Sequence, residues 1–125
     1  AYDTVYGVWK YFTVWEEQMN LERESYCLIG TLEAWNAMCQ YFGREKMIPV
    51  YIEVEDGTRL IRAVERERTQ EHPGYEELCR RFLADAKDFS EENLKNAGIT
   101  RRFENKDMNA CLEEIKLFIQ KAILI

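Results

Sequence analysis

The hydrophobic pattern divides the chain into short apolar runs and longer stretches with helical spacing. The short runs predict strands, and the first of them, broken at Gly7, is either one strand or two short strands with a turn. The second is a continuous apolar run, which is typical of a strand buried on both faces. The predicted strand regions are Val5 to Val14, Tyr26 to Ile29, Ile48 to Val54 and Arg102 to Glu104.

Other stretches repeat apolar residues every three or four positions, which predicts amphipathic helices. Thr31 is a good N-cap for the first helix, and Gly43 is the residue type expected just beyond its end. Ile61 and Leu83 are among the apolar residues expected to face inward from the middle helices. The predicted helices run from Thr31 to Gly43, from Thr58 to about Arg68, from Tyr75 to Phe89, from Ser90 to Gly98 and from Met108 to Ala122.

This alternation of short strands with longer helices predicts an α/β fold with a parallel sheet flanked by helices. Sheets of this kind bind ligands at the carboxyl ends of their strands. In this chain the predicted ends are Gly30-Thr31, Glu55-Asp56-Gly57 and Asn105-Lys106-Asp107.

Composition narrows the class of protein. The 125 residues are 46% hydrophobic, which is enough for a packed core. A net charge of −6 argues against a general nucleic-acid or membrane-surface binder. No apolar run approaches the roughly 20 residues that cross a bilayer, and the first residues lack the features of a signal peptide. We therefore expect a cytoplasmic protein.

The cysteines fit that expectation. Cys27, Cys39, Cys79 and Cys111 are widely separated, form no C-x-x-C pair and share the chain with a single His. Their apolar neighbours favour reduced cysteines in the core, and we predict no metal site.

Arginines are concentrated in one segment. Six of the ten lie between Arg59 and Arg81, a stretch without Lys. Arg59, Arg62 and Arg66 have the spacing of one helix face. Because Glu residues are interleaved, one interpretation is a solvated helix. The other is a lid, since two helices joined by a Pro-Gly turn can close over a ligand and Arg binds phosphate oxygens in a bidentate way.

The order of these segments resembles that of guanylate kinases. Gly7 to Thr13 (GVWKYFT) resembles the family's G-x-x-Y-G-T segment, with Phe12 where the family has Gly, and Leu60 to Arg68 resembles its L-x-x-R-L-x-x-R-G helix. Four further segments resemble parts of the family. Tyr26 to Gly30 resembles the strand after the GMP-binding region, and Val50 to Val54 resembles the V-x-I-F-I strand. Arg80-Arg81-Phe82 resembles the R-R-L segment, and Arg102 to Asp107 resembles the late strand that ends in N-x-D.

The resemblance implies a P-loop nucleoside-monophosphate-kinase-like fold with an Arg-rich helical lid, of which residues 1–125 form a partial domain. Residues 1–25 would belong to the monophosphate-binding region, 26–58 to the core strands and helix, 59–89 to the lid with its flanking helices, and 90–125 to the C-terminal core strand and helix.

It also implies roles for particular residues. Tyr11 and Thr13, with Tyr6, would bind a GMP-like monophosphate, although the tyrosines are equally typical of strand aromatics. Arg66 or Arg68, together with Arg80 and Arg81, would grip phosphates from the lid. Asn105 would lie beside the adenine of ATP, or would only cap the last helix. The implied cofactors are ATP and Mg²⁺.

The sequence also departs from the family. It contains no G-x-x-x-x-G-K-[ST], so the phosphate loop and its strand would precede Ala1. Leu28-Ile29-Gly30-Thr31 stands where the family carries an acidic residue. We therefore expect this chain alone to be inactive, and a homodimer or domain swap could cover the missing strand.

Three functions remain open from the sequence. The first is ATP-dependent phosphoryl transfer to a nucleoside monophosphate by the full-length protein. The second is a non-catalytic kinase-like module that binds a nucleotide or a protein, which the missing acidic residue favours. The third is an unrelated α/β interaction protein whose arginines are merely solvated.

Overall fold

The computed structural model describes residues 2–4, 7–9, 21 and 24–123, and the first two of these stretches are described by their backbone alone. Helices account for most of this part of the chain. They accompany two small sheets, of which one is antiparallel and one parallel. The described chain therefore combines helices with a parallel sheet, in general agreement with the expected α/β class.

The antiparallel sheet is a pair of strands near the N-terminus. Strands β1 (Tyr2–Thr4) and β2 (Gly7–Trp9) pair with Tyr2 opposite Trp9 and Thr4 opposite Gly7. The alternative of two short strands is thus the one found, but the pair begins earlier than predicted and Gly7 lies within a strand. The remainder of the predicted region, 10–14, lies outside the described residues.

The parallel sheet joins the second half of the chain. Strand β3 (Tyr51–Glu53) pairs with β4 (Arg102–Glu104), in a register that sets Ile52 beside Phe103. Both strands lie within predicted regions. Their parallel pairing means that the residues following each strand emerge at the same edge of the sheet.

Local capping chemistry explains where the helices begin and end. Helix α1 (Leu32–Phe42) starts where the Thr31 hydroxyl accepts a hydrogen bond from the Ala34 amide at 3.2 Å. It ends at Gly43, whose φ of +93° favours glycine. A 3₁₀ turn, Arg44–Lys46, follows. The remaining helices are α2 (Asp56–Arg68), α3 (Tyr75–Asp88), α4 (Glu91–Asn96) and α5 (Met108–Ile123).

Two clusters of buried side chains hold these elements together. One comprises Leu32, Leu94, Ala97 and Ile99, and the Trp35 indole donates to the Ala97 carbonyl at 3.0 Å beside it. The other is centred on Phe103, which is fully buried against α5. Its other members are Cys111 and Ile115, with Phe118 and Ile119 packed at its side. The clusters attach α1, α4 and α5 to the parallel sheet.

The strand predicted over Tyr26 to Ile29 is wrong. Residues 24–30 have no strand structure, and Cys27, Leu28 and Ile29 are exposed, Ile29 completely so. A strand exists only through hydrogen bonds to a neighbouring strand, and within the described residues β3 pairs with β4 alone. The apolar run therefore has no described partner to pair with.

Some expected core positions also face solvent. Cys27 and Cys79 are exposed, so the interpretation of all four cysteines as core residues is wrong for these two, whereas Cys111 is buried. Ile61 and Leu83 are likewise exposed rather than inward-facing. Helical spacing identifies an apolar stripe, but burial requires a second layer over it.

Candidate functional site

The carboxyl edge of the parallel sheet brings two predicted segments together. Glu55 follows β3 and Asn105 follows β4, and the Asn105 amide donates to the Glu53 carbonyl at 2.8 Å. This hydrogen bond extends the pairing of the strands beyond β4. The edge is the position at which α/β sheets bind ligands.

Asn105 has an unusual side chain. Its Oδ1 atom is buried and has no hydrogen-bond partner among the residues that the structure describes. An unpaired buried acceptor costs about 1–3 kcal/mol, so such an atom calls for an explanation. The alternative that Asn105 caps the last helix is wrong, because the Asp107 carboxylate accepts from the Ala110 amide at 2.9 Å and makes that cap. The Asn105 side chain therefore does not make this cap, and its Oδ1 has no donor among the described residues.

Arg62 holds the backbone of this loop from helix α2. Its guanidinium donates from Nη1 to the Asn105 carbonyl at 3.0 Å and from Nη2 to the Lys106 carbonyl at 3.1 Å. The sequence analysis placed Arg62 on a helix face with other arginines but did not identify this contact. No local pattern could, since the partners are more than 40 residues apart.

Glu55 starts helix α2 at the same edge. Its carboxylate accepts hydrogen bonds from the Thr58 amide at 2.8 Å, the Gly57 amide at 2.9 Å and the Thr58 hydroxyl at 3.0 Å. These hydrogen bonds hold the pKa of Glu55 below its ordinary value, and the one from the Thr58 amide has the largest effect. A carboxylate so engaged fixes the turn between β3 and α2 and is not a free proton acceptor.

The Glu55 cap predicts a pH dependence of stability. Because the pKa of Glu55 is lowered in the folded state, its contribution is present above the ordinary glutamate pKa and is lost as the pH falls through the lower folded value. We expect Glu55→Gln to lower the melting temperature at neutral pH and to match the wild type in strong acid. Melting temperatures followed by circular dichroism from pH 7 to pH 2 test this. A constant difference between the two proteins would contradict it, and Glu65→Gln, at an exposed position of α2, is the control.

Arg59 joins the two arginine-bearing helices. Its guanidinium lies 3.9 Å from the centre of the Phe82 ring on α3, and one nitrogen is 3.5 Å from the Asp56 carboxylate. Burial against these helices raises the pKa of Asp85, an effect that Arg59 partly opposes. The Arg59 side chain thus packs between α2 and α3.

The four predicted lid arginines occupy two different settings. Arg66 and Arg68 are exposed in the last turn of α2. Arg80 donates two hydrogen bonds to the buried Glu77, at 2.9 and 2.7 Å, and Arg81 lies 3.8 Å from the Glu67 carboxylate while remaining more than half exposed. Arg81 therefore links the second helix of the pair to the end of the first.

Glu67 also closes the turn between these helices. Its Oε1 accepts from the Gly74 amide at 2.8 Å, and its Oε2 faces Arg81. One carboxylate of helix α2 thus holds Gly74, at the end of the predicted Pro-Gly hinge, and faces Arg81 on α3. Helices α2 and α3 thus form a helical hairpin, which corresponds to the segment predicted as a lid and is named the lid (Asp56–Asp88) after that prediction.

Replacing Glu67 is expected to loosen that hinge. Glu67→Gln keeps the shape but removes the charge, and the loss of a charge-assisted hydrogen bond at a half-buried position corresponds to about 1 kcal/mol. The Gly74 amide should then exchange with deuterium about fivefold faster by NMR. Glu65→Gln on the same helix should leave that rate unchanged. Equal rates in Glu67→Gln and the wild type would show that Glu67 does not hold the turn.

The lid also lies against the N-terminal strand pair, since α3 contacts β1. The segment predicted to bind the acceptor is adjacent in sequence to those strands. Tyr6, Tyr11 and Thr13 themselves lie outside the described residues. The structure thus brings helix α3, which carries Arg80 and Arg81, into contact with β1 and brings Asn105 to the carboxyl edge of the sheet.

Arg102 is a further polar centre that the sequence analysis missed. From β4 it donates to Glu53 on β3 and to Glu91 on α4, with 2.8 Å to an oxygen of each. Its hydrogen bonds hold the pKa of Glu91 below the ordinary value. The three charged side chains come from three elements and form ion pairs with one another. This cluster therefore joins α4 to the sheet, and its charges are engaged within the protein.

Two open depressions in the surface are lined neither by Asn105 nor by the four predicted lid arginines. One, of about 540 Å³, is lined by residues including Glu92, Lys95 and Arg102, and the other, of about 430 Å³, by residues including Asn36, Asp88 and Asn96. Both are shallow and open to solvent. The carboxyl edge near Asn105 is the better candidate because its geometry includes an unpaired buried acceptor.

Of the two implied cofactors, the described residues offer a contact for the base of ATP but no group of ligands for Mg²⁺. Asn105 Oδ1 suits an exocyclic amino group such as that of adenine. Within residues 24–123 there is no group of three His, Cys, Asp or Glu side chains placed to hold a metal ion. No residue is therefore assigned to Mg²⁺.

Comparisons with known proteins identified no relative of this chain. Searches against family models, curated proteins and solved structures found no match to this chain. None of the helices in the described part of the chain is long and apolar enough to cross a membrane.

Proposed function

We propose that this chain provides the base-binding loop and the lid of a nucleoside-monophosphate kinase, which transfers a phosphoryl group from ATP to a GMP-like acceptor. The observation that carries the proposal is the buried, unpartnered Asn105 Oδ1 at the carboxyl edge of a parallel strand. The neighbouring strand, β3, leads directly into the arginine-bearing lid. The similarity of these same segments to guanylate kinases supports it.

The chemistry of each residue follows from its position. Asn105 would accept a hydrogen bond from the amino group of the base, which orients the nucleotide at the edge of the sheet. Arg66, Arg68, Arg80 and Arg81 would stabilise the negative charge that is shared among the phosphate oxygens during transfer. Tyr6, Tyr11 and Thr13 would bind the acceptor. Bound ATP would supply the transferable phosphoryl group.

Phosphoryl transfer needs more than these residues. It depends on a phosphate loop as well as on arginines, and this sequence contains no G-x-x-x-x-G-K-[ST]. We therefore propose the activity for a protein in which another segment supplies that loop. The 125-residue chain by itself is expected to bind nucleotide weakly and to have no kinase activity.

Nucleotide titration of the chain tests the proposal. We expect ATP to shift the NMR signals of the Asn105 side-chain amide, and Asn105→Ala to weaken binding about three- to tenfold, as expected for one neutral hydrogen bond. Asn109→Ala, an exposed asparagine in the first turn of α5, is the matched control. If the wild-type chain shows no shift at millimolar ATP, or if both variants bind equally well, the base site is wrong.

A second candidate is a non-catalytic module that binds a nucleotide or a protein through the same edge. The observation in its favour is that two of the lid arginines have carboxylate partners: Arg80 binds Glu77, and Arg81 faces Glu67. An arginine held by a carboxylate must exchange that partner for a phosphate before it can act in transfer. Turnover measurements on Arg81 separate the two candidates, as described in the Discussion.

A further inference from the structure

Helix α2 reaches the Asn105 loop through the side chain of Arg62. Arg62 is half-buried in the middle of α2, and its guanidinium donates to two successive carbonyls, those of Asn105 and Lys106, at 3.0 and 3.1 Å. The loop itself is only three residues long, since β4 ends at Glu104 and α5 begins at Met108.

These contacts fix the backbone of Asn105 on both sides. Its amide donates to the Glu53 carbonyl of β3 at 2.8 Å, and its carbonyl accepts from Arg62. With both main-chain groups held by different elements, the peptide has little freedom to rotate. The side-chain Oδ1 is then kept buried and unpaired, where a loose loop would let it turn to a donor or to water.

We infer that Arg62 is a positioning residue for the nucleotide base, because it holds the loop that presents Asn105 Oδ1. The inference rests on the proposed function, to which it adds a residue that does not touch the ligand. It also gives Arg62 a role different from that of the phosphate-binding arginines on the same helix. Arg62 acts through main-chain carbonyls, whereas they would act on the substrate.

Arginine is the residue type that this role requires. A planar guanidinium donates two parallel hydrogen bonds from fixed directions, so it sets the orientation of two carbonyls at once. A lysine ammonium keeps the charge but is a point donor without a fixed fork. Arg62→Lys should therefore retain the fold and loosen the loop, and Arg62→Met should loosen it further.

Amide exchange measured by NMR without nucleotide tests the hold on the loop directly. We expect the Asn105 amide to exchange at least about fivefold faster in Arg62→Lys and faster still in Arg62→Met. The Trp35 amide, which donates to the carbonyl of the N-cap Thr31 at the start of α1, is the reference on another element and should change far less. Arg44→Met is the matched control, since Arg44 also donates to a main-chain carbonyl, that of Met47 at 2.9 Å.

ATP titration then tests the link to the base. If Arg62 positions Asn105, Arg62→Lys should weaken ATP binding about fivefold, and Arg44→Met should not weaken it. Unchanged exchange at Asn105 in Arg62→Lys, or unchanged ATP affinity despite faster exchange, would overturn the inference. If Arg62→Met fails to fold, Arg62→Lys alone decides.

The two proposals fail in different ways. A wild-type chain that binds no ATP overturns the proposed function, and with it the role of Arg62 toward a base. The exchange measurement still shows in that case whether Arg62 holds the loop. If Arg62→Lys binds ATP with the same affinity as the wild type, and ATP shifts the Asn105 signals in both proteins, only the role of Arg62 is overturned.

Discussion

Replacing Phe103 with alanine is expected to remove about 3–5 kcal/mol from the free energy of unfolding. Phe103 lies on β4, is completely buried, and packs edge-to-face on Phe118 with 5.2 Å between ring centres. Its loss leaves a cavity between the sheet and α5 at the centre of one of the two core clusters. Since domains of this size are stable by only about 5–15 kcal/mol, Phe103→Ala should lose a large share of the total stability.

Urea denaturation followed by far-ultraviolet circular dichroism measures this change. Leu83→Ala is the control, because Leu83 is 68% exposed on α3 and alanine favours a helix. The control should stay within about 0.5 kcal/mol of the wild type. A loss of less than about 1 kcal/mol in Phe103→Ala would mean that this cluster is not the centre of the fold.

In the kinase proposed here, Arg81→Ala is expected to lower turnover at least about tenfold. Arg81 is the lid arginine that combines exposure with a link across the hinge, since it is 57% exposed and lies 3.8 Å from Glu67. Its helix contacts strand β1, next to the predicted acceptor region. A guanidinium there can leave Glu67 for a phosphate oxygen when the acceptor binds, and alanine cannot replace that charge.

Steady-state transfer from ATP to GMP, in a protein that includes a phosphate loop, measures the effect. Lys87→Ala, an exposed cation near the end of the same helix, is the control and should retain normal turnover. The loss should lie mainly in kcat, because the stabilised charge develops during transfer. Equal turnover for Arg81→Ala and the wild type would remove Arg81 from the site. A wild-type protein without transfer activity that still binds nucleotide would favour the non-catalytic module.

The elements that follow from short-range chemistry could be read from the sequence. Thr31 and Gly43 bound α1 as predicted, and Ser90, whose hydroxyl accepts from the Asn93 amide, begins α4. A cap and its partners lie within three or four residues, so their pattern is complete in the local sequence. The final helix was predicted equally well, although Asp107 rather than Asn105 makes its cap.

The run at Tyr26 to Ile29 shows where local pattern is insufficient. Its composition is that of a buried strand, yet Leu28 and Ile29 are exposed. Hydrophobicity measures how much a segment gains from burial, and not whether a neighbour is present to bury it. The same reason explains the exposed Ile61 and Leu83 on the lid.

The same distinction between local pattern and tertiary packing applies to the candidate site. The sequence by itself determined which residue types stand at the strand ends and on the lid, including Asn105, Arg66 and Arg81, because those positions follow from the order of strands and helices. Only the tertiary structure decided that Asn105 Oδ1 is buried with no partner in the described part of the chain, that Arg62 holds its loop, and that Glu67 faces Arg81. These contacts join residues distant in sequence, and a distance across the fold is set by the packing of whole elements, which no local pattern contains.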